Sequence, residues 1–295
     1  MKLVRSLLAV VLLALAASAA FLGLGAHWVH RTATTQDALP AILAPVPKDP
    51  RVISALTGEL ISALQERVPP AAGLIPGFQD QLDSLIADAI ETAMADPGVD
   101  VAWRTSVDLS RASFISDLAA VREGSLEAPT IWLEMSPFVA LGRDTLYART
   151  DSSLHRYLDL IDWPTDLRVA LGRPDTHSAM LAADGLAVAQ HWRSYYAAAA
   201  ILALLGLALG SRRGRWGALL AVAVASLGAM ALATLALGRV AATGGESLAG
   251  ALKASLITGS VAALADFAQP AWFVAGGAAL LGAVGLLVTL LQSKA

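Results

Sequence analysis

The sequence predicts a mainly α-helical membrane protein: a bundle of four transmembrane helices plus a mostly helical domain outside the cytoplasm, with two short segments that could pair as a small sheet. Three observations predict it. Hydrophobic residues make up 56% of the 295, mean hydropathy is +0.60, and charged residues are only 15%, against about a quarter in soluble chains. The apolar excess sits in one N-terminal block and three C-terminal blocks, with an ordinary polar stretch between them. Within that stretch the apolar residues recur at helical spacing.

A spanning helix needs about 20 apolar residues. Residues 7–26, 195–210, 216–238 and 271–291 supply four such runs. The second is short, and the polar helix before it is expected to run into it. Nothing between Arg31 and Arg193 offers a comparable run.

Flanking charge orients the spans, because cationic side chains accumulate on the cytoplasmic side. Lys2, Arg5, Arg212, Arg213, Arg215 and Lys294 flank the spans on one side with no acid among them, while the stretch 27–194 carries 13 basic and 22 acidic residues. Both termini are therefore expected in the cytoplasm of a multi-pass plasma-membrane protein, with both long loops outside. Trp28, Trp192, Tyr195, Tyr196 and Trp272 then fall at the outer boundary and Trp216 at the inner one, where amphipathic rings are enriched. The domain reading is 1–26 for the cytoplasmic N-terminus and first span, 27–194 for the extracytoplasmic domain, and 195–295 for the remaining spans with an outer amphipathic loop at 239–270. One alternative stays open. Lys2, Arg5, an apolar core and Ala17-Ser18-Ala19 also fit a cleaved secretory signal. The apolar run continues to Ala26, long enough for a retained anchor, and retention is the expectation.

In the central domain, Pro40, Pro45 and Pro47 mark residues 32–47 as a linker or extended strap. Asp49 as N-cap and Pro50 in the first turn open a helix, with Val52, Leu56, Leu60, Leu64 and Val68 along it. Pro69-Pro70 stops it. A second helix spans 78–95, with Asp80, Asp83, Asp88 and Glu91 on its polar face. After Asp96-Pro97-Gly98 a third carries Trp103, Val107, Phe114, Leu118 and Val121. Residues 130–135 and 167–171 read as short strands, and a helix begins at Ser136-Pro137. Asp175 or Thr176 caps the last helix of the domain. In the second outer loop, Leu248, Leu252, Leu256, Val261, Leu264 and Phe267 form an apolar stripe suited to docking or interfacial packing.

The order of these parts resembles an uncharacterised family of actinobacterial four-helix integral membrane proteins with a large extracytoplasmic first loop. The matching parts are the helices at 50–68 and 78–95, the segment Pro97-Gly98-Val99-Asp100-Val101-Ala102-Trp103, and the strand–helix–strand piece at 130–171 before three closely spaced spans. The resemblance covers nearly the whole chain. It implies architecture and no activity.

Chemistry is sparsely signalled. Cysteine is absent, which excludes disulfides, thiolate metal sites and cysteine nucleophiles. Asparagine is absent too, so no N-glycosylation sequon exists. No G-x-S-x-G, H-E-x-x-H or P-loop motif occurs. His27 and His30, with His191, are weak metal candidates at one boundary. Asp159, Asp162 and Asp166 cluster around Trp163, without the Asp/Asn-Gly loop of a calcium-binding EF-hand. No ionisable residue lies inside the four apolar runs, where ion and proton paths normally place one. Gly206 with Gly210, and Ala278 with Gly282, have the small-residue spacing of close helix packing. No cofactor and no nucleic acid are expected. The expected partners are the lipid bilayer and another envelope protein or lipid, with oligomerisation open. The functional expectation is a non-enzymatic scaffold, assembly or sensing module. The alternative is an envelope enzyme or a transporter accessory subunit.

Overall fold

The computed structural model describes residues 2–65, 84, 88, 91–150, 155, 159, 163–238 and 248–292. Among them the elements run α1 (Lys2–Thr34), α2 (Ala38–Ile42), α3 (Pro50–Gln65), α4 (Gly98–Arg122), β1 (Ile131–Glu134), α5 (Ser136–Arg149), β2 (Arg168–Gly172), α6 (Thr176–Ala189), α7 (Trp192–Leu209), α8 (Gly214–Gly238) and α9 (Leu248–Leu291). The described residues are 81% helical with one small antiparallel sheet among them, a mainly α fold. Four helices are long and apolar enough to cross a membrane, Val4–Thr34, Trp192–Leu209, Gly214–Ala236 and Leu252–Leu291, and the protein is a multi-pass membrane protein.

Two compact units form. The first, the apolar unit, comprises Met1–Thr34, Asp184–Ala241 and Ser260–Ala295; the second, the mixed unit, comprises Thr35–Ala183 and Ala242–Gly259. The first unit boundary falls at 34/35 and not 26/27, because α1 stays helical past its apolar run as far as Thr34, and the second falls at 183/184, inside α6.

In the apolar unit α1 packs most extensively on α7 and next on α8. Ala9, Leu13 and Ala218 are its best-buried cluster. Small residues set how closely these helices approach. A Cβ added to Gly206 would stand 3.0 Å from the Leu13 side chain, and one added to Gly282 would stand 2.7 Å from the backbone nitrogen of Leu220. Two expectations change here. The helix before the second span does not run into it: the chain turns at residues 190–191, and Ser194 N–H bonds back to the His191 carbonyl. The amphipathic segment expected at 239–270 and the fourth span are one helix, α9, with Pro270 inside it. Proline removes one backbone hydrogen bond, and apolar helices tolerate that where neighbours cover the freed carbonyl. Residues 239–247 of that loop lie outside the described residues.

The mixed unit is built on Trp103, 1% exposed, whose indole N–H donates to the Leu43 carbonyl at 3.0 Å. Val52 and Leu56 on α3 and Met135 and Phe138 beside β1 join the same core. Residues 32–47 are therefore no linker. They hold the end of α1, α2 and a 3-10 turn at Val46–Lys48, with Pro40, Ile42, Leu43, Val46 and Pro47 buried. Pro40 and Pro47 sit in the core, where a ring without an N–H leaves no donor to satisfy.

The expected strands exist and pair antiparallel, with Leu133 opposite Val169 and Glu134 opposite Arg168. Met135 N–H extends the ladder to the Leu167 carbonyl at 2.8 Å. Two serines one turn apart on α4 hold the backbone of Glu134. Ser106 donates to its carbonyl, and Ser110 accepts its N–H at 2.9 Å. The helix thus supplies the hydrogen bonds a third strand would have made. α4 ends at Gly124, where φ of +75° and bonds from Gly124 to Val121 and from Ser125 to Ala120 form a Schellman cap that favours glycine. Asp175 caps α6, accepting the Ser178 N–H at 2.9 Å. The expected helix at 78–95 is described only at 84, 88 and 91–95, all helical.

Candidate functional site

A cavity of about 480 Å³ lies among the four helices of the apolar unit, within the range of small-molecule sites. α1 contributes Leu13, Ala17 and Leu24, α7 contributes Tyr196 and Ala203, α8 contributes Ala223 and Ser226, and α9 contributes Pro270, Ala275 and Ala278. Among the described residues that line it, Tyr196 and Ser226 alone carry hydroxyls. Alanines recurring at four residues, Ala16 with Ala20, Ala199 with Ala203 and Ala271 with Ala275, line it from three helices. Side chains of one carbon leave the space that leucines would fill.

At the Tyr196 end stands a row of rings. His27 stacks on Trp192, centroids 3.9 Å apart and planes within 7°. It meets Phe267 edge-on at 5.0 Å and Tyr196 edge-on at 6.3 Å. Such edge and stacked pairs follow the ring quadrupole. The Arg31 guanidinium lies 5.8 Å above the Phe267 ring and that of Arg193 lies 5.2 Å above Trp192, both at cation–π distance. Helical spacing produces the row: His27 and Arg31 are one turn apart on α1, and Trp192 and Tyr196 one turn apart on α7.

The three histidines do not act together. His27 belongs to the ring row, while His191 donates from Nδ1 to the Ala187 carbonyl at 3.1 Å, on its own side of the α6–α7 turn. His30 is half-buried one turn along α1, and Thr34 donates to its carbonyl. Among the described residues no group of three His, Asp or Glu side chains could hold a metal ion. Of the packing residues, Gly206 lies against Leu13, Gly210 against Ala9 and Arg215, and Gly282 against Leu220, while Ala278 lines the cavity.

The carboxylates of the mixed unit have structural partners or face solvent. Asp88 pairs with Arg149 at 2.8 Å, and Glu134 pairs across the sheet with Arg168 at 2.7 Å. Asp159 accepts the Tyr147 hydroxyl at 2.5 Å, and that bond pushes the phenol above its ordinary pKa. Glu91 and Asp166 are exposed; Asp80, Asp83 and Asp162 lie outside the described residues. A smaller depression, about 380 Å³, is walled by Asp37, Lys48, Asp100 and Arg104 around Trp103. Its four charges are exposed and balanced in sign, and nothing there selects a ligand.

Reading the sequence alone missed the cavity and gave Tyr196 and Phe267 only boundary or stripe roles. The available signal was the alanine spacing together with a proline opening the last apolar run. No family model matches the chain, and neither a curated protein nor a solved structure matches it.

Proposed function

We propose that the protein is a non-enzymatic binding module of the cell envelope whose four-helix unit holds the apolar chain of a bilayer amphiphile. The observation that carries the reading is the cavity itself: open, about 480 Å³, and lined by apolar atoms but for two hydroxyls. A site of that chemistry binds hydrocarbon and offers no acid–base pair or nucleophile with which to transform it. In the mixed unit Ser106, Trp103, Glu134 and Asp175 bond to structural partners, which fits binding better than catalysis. α1 supplies Ala9, Leu13 and Ala16, all under 9% exposed, so cleavage after Ala19 would remove much of the unit's interior. That favours a retained anchor. The resemblance to actinobacterial four-helix membrane proteins agrees with this architecture.

The test uses the full chain purified in mild detergent and native mass spectrometry. Wild type should retain one bound lipid. Ala17→Phe on α1 and Ala275→Phe on α9, which fill the cavity from different helices, should each lose it while keeping wild-type helicity. A lipid-free wild type, or filled variants that keep the lipid, refutes the reading.

The orientation belongs to the same proposal: both termini cytoplasmic, residues 27–194 outside, on the basic bias of the inner segments. In intact cells Ser125→Cys should react with a membrane-impermeant thiol reagent, and Ser211→Cys should react only after permeabilisation. The opposite pattern inverts the topology.

A second reading places an envelope protein on the mixed unit. Val101 is 61% exposed and Leu109 45%, and the two share a face of α4 with Thr105. Exposed apolar side chains on one helix face suit docking.

A further inference from the structure

We infer that the amphiphile held by the apolar unit is an anionic phospholipid, with one acyl chain in the cavity and its headgroup at the ring row that carries Arg31 and Arg193. The inference rests on the cavity reading above and adds the headgroup.

Cavity and cationic row are continuous. Tyr196 lines the cavity and also stands edge-on to both His27 and Trp192. Phe267 and Trp192 both contact His27, and each carries a guanidinium over its face. A guanidinium held against a ring face keeps the N–H donors around its edge available, the geometry that matches a phosphate. Neither guanidinium pairs with a carboxylate among the described residues. The acid nearest the row in sequence, Asp266, is exposed and makes no ion pair there. Both guanidiniums lie within electrostatic reach of His27, so the row gathers two positive charges that suit an anion.

The dimensions agree. The α1 wall runs from Leu13 to Leu24, about 16 Å at helical rise. At ~1.2 Å per bond, the advance of an extended chain, that is roughly 13 methylenes, the length of an acyl chain beneath its ester. A zwitterionic headgroup brings its own cation beside the phosphate and would meet two fixed guanidiniums. An anionic headgroup does not.

The full chain is reconstituted in phosphatidylcholine nanodiscs containing phosphatidylglycerol of the same acyl chains, and retained lipid is read by native mass spectrometry after release into detergent. Wild type should retain phosphatidylglycerol over phosphatidylcholine by about tenfold, the ratio a charge-assisted contact yields. The double variant Arg31→Gln/Arg193→Gln should still retain one lipid but with the preference gone. Equal retention of the two lipids by wild type, or an undiminished preference in the double variant, overturns the headgroup inference and leaves the cavity reading standing. If Ala17→Phe and Ala275→Phe bind phosphatidylglycerol like wild type, the lipid sits elsewhere and both fail. Should the double variant misfold, Arg31→Lys/Arg193→Lys decides. It keeps the charge without the fork, and must retain preference for phosphatidylglycerol at a reduced ratio; loss of all preference or an unchanged ratio counts against the arginines as the headgroup site.

Discussion

The two units bury different kinds of side chain. In the mixed unit the largest interior residue is Trp103, 1% exposed, and its polar atom is bonded. In the apolar unit Ala9 and Gly206 sit inside, while Leu204 is 69% exposed and Phe273 76%. Water expels large apolar groups, so the mixed unit stabilises itself by hiding them. A bilayer does not, so the apolar unit gains by bringing backbones close, which small residues permit and large ones prevent. The same contrast governs polar atoms. Ser106 and Ser110 in the mixed unit hold a strand backbone, whereas Tyr196 and Ser226 in the apolar unit face a cavity.

The contrast is broken most directly at Trp103. Trp103→Ala removes a buried ring and its bond to the Leu43 carbonyl and should destabilise the mixed unit by about 3–5 kcal/mol. Leu204→Ala in the apolar unit removes a side chain 69% exposed and should shift stability by less than about 0.5 kcal/mol. Thermal unfolding of the full chain, followed by limited proteolysis of the 35–183 region, separates the two. Similar losses would mean that the apolar unit is stabilised by large side chains after all.

Gly282 and Gly277 sharpen the comparison within one helix. A Cβ at Gly282 would meet the Leu220 backbone at 2.7 Å, while one at Gly277 meets nothing within 4 Å. Gly282→Ala should therefore lower the melting midpoint in detergent, by the ~1–3 kcal/mol of an overpacked contact. Gly277→Ala should be neutral or gain up to about 1 kcal/mol from helix propensity. Equal effects would rule out close approach of α8 and α9 as the source of stability.

The smallest effect expected is at Asp175, on the mixed unit's surface. The N–H and hydroxyl of Ser178 hold its carboxyl below the ordinary pKa of 3.8. A depressed folded pKa stabilises above the unfolded value, and that contribution is lost as pH falls through the folded one. Wild type should exceed Asp175→Ala by a constant small margin from neutral pH down to about pH 5, and the gap should close below the ordinary carboxylate value. Asp175→Asn keeps an acceptor without titrating, so its own margin over Asp175→Ala should not depend on pH. Circular dichroism melts across that range test both statements; a wild-type margin that survives strong acid would show that the charge is not what caps α6.

Much of the architecture was legible. The four apolar runs, the strand pair at 130–135 and 167–171, the Asp49-Pro50 start and the Asp175 cap are local signals, each set by residues within one or two turns. Where local signals met long-range packing they failed. Proline spacing made 32–47 look like a strap, yet Leu43 is held there by Trp103, 60 residues away. The boundary read at 270/271 falls inside α9, where packed neighbours let the helix carry a proline that would break a lone one. Period, propensity and charge act within a turn or two, so the sequence by itself determined which segments are helical and which can cross a membrane. The cavity, the ring row and the serine clamp on β1 join residues tens to hundreds of positions apart, and only tertiary packing decided that His27, Trp192 and Phe267 meet.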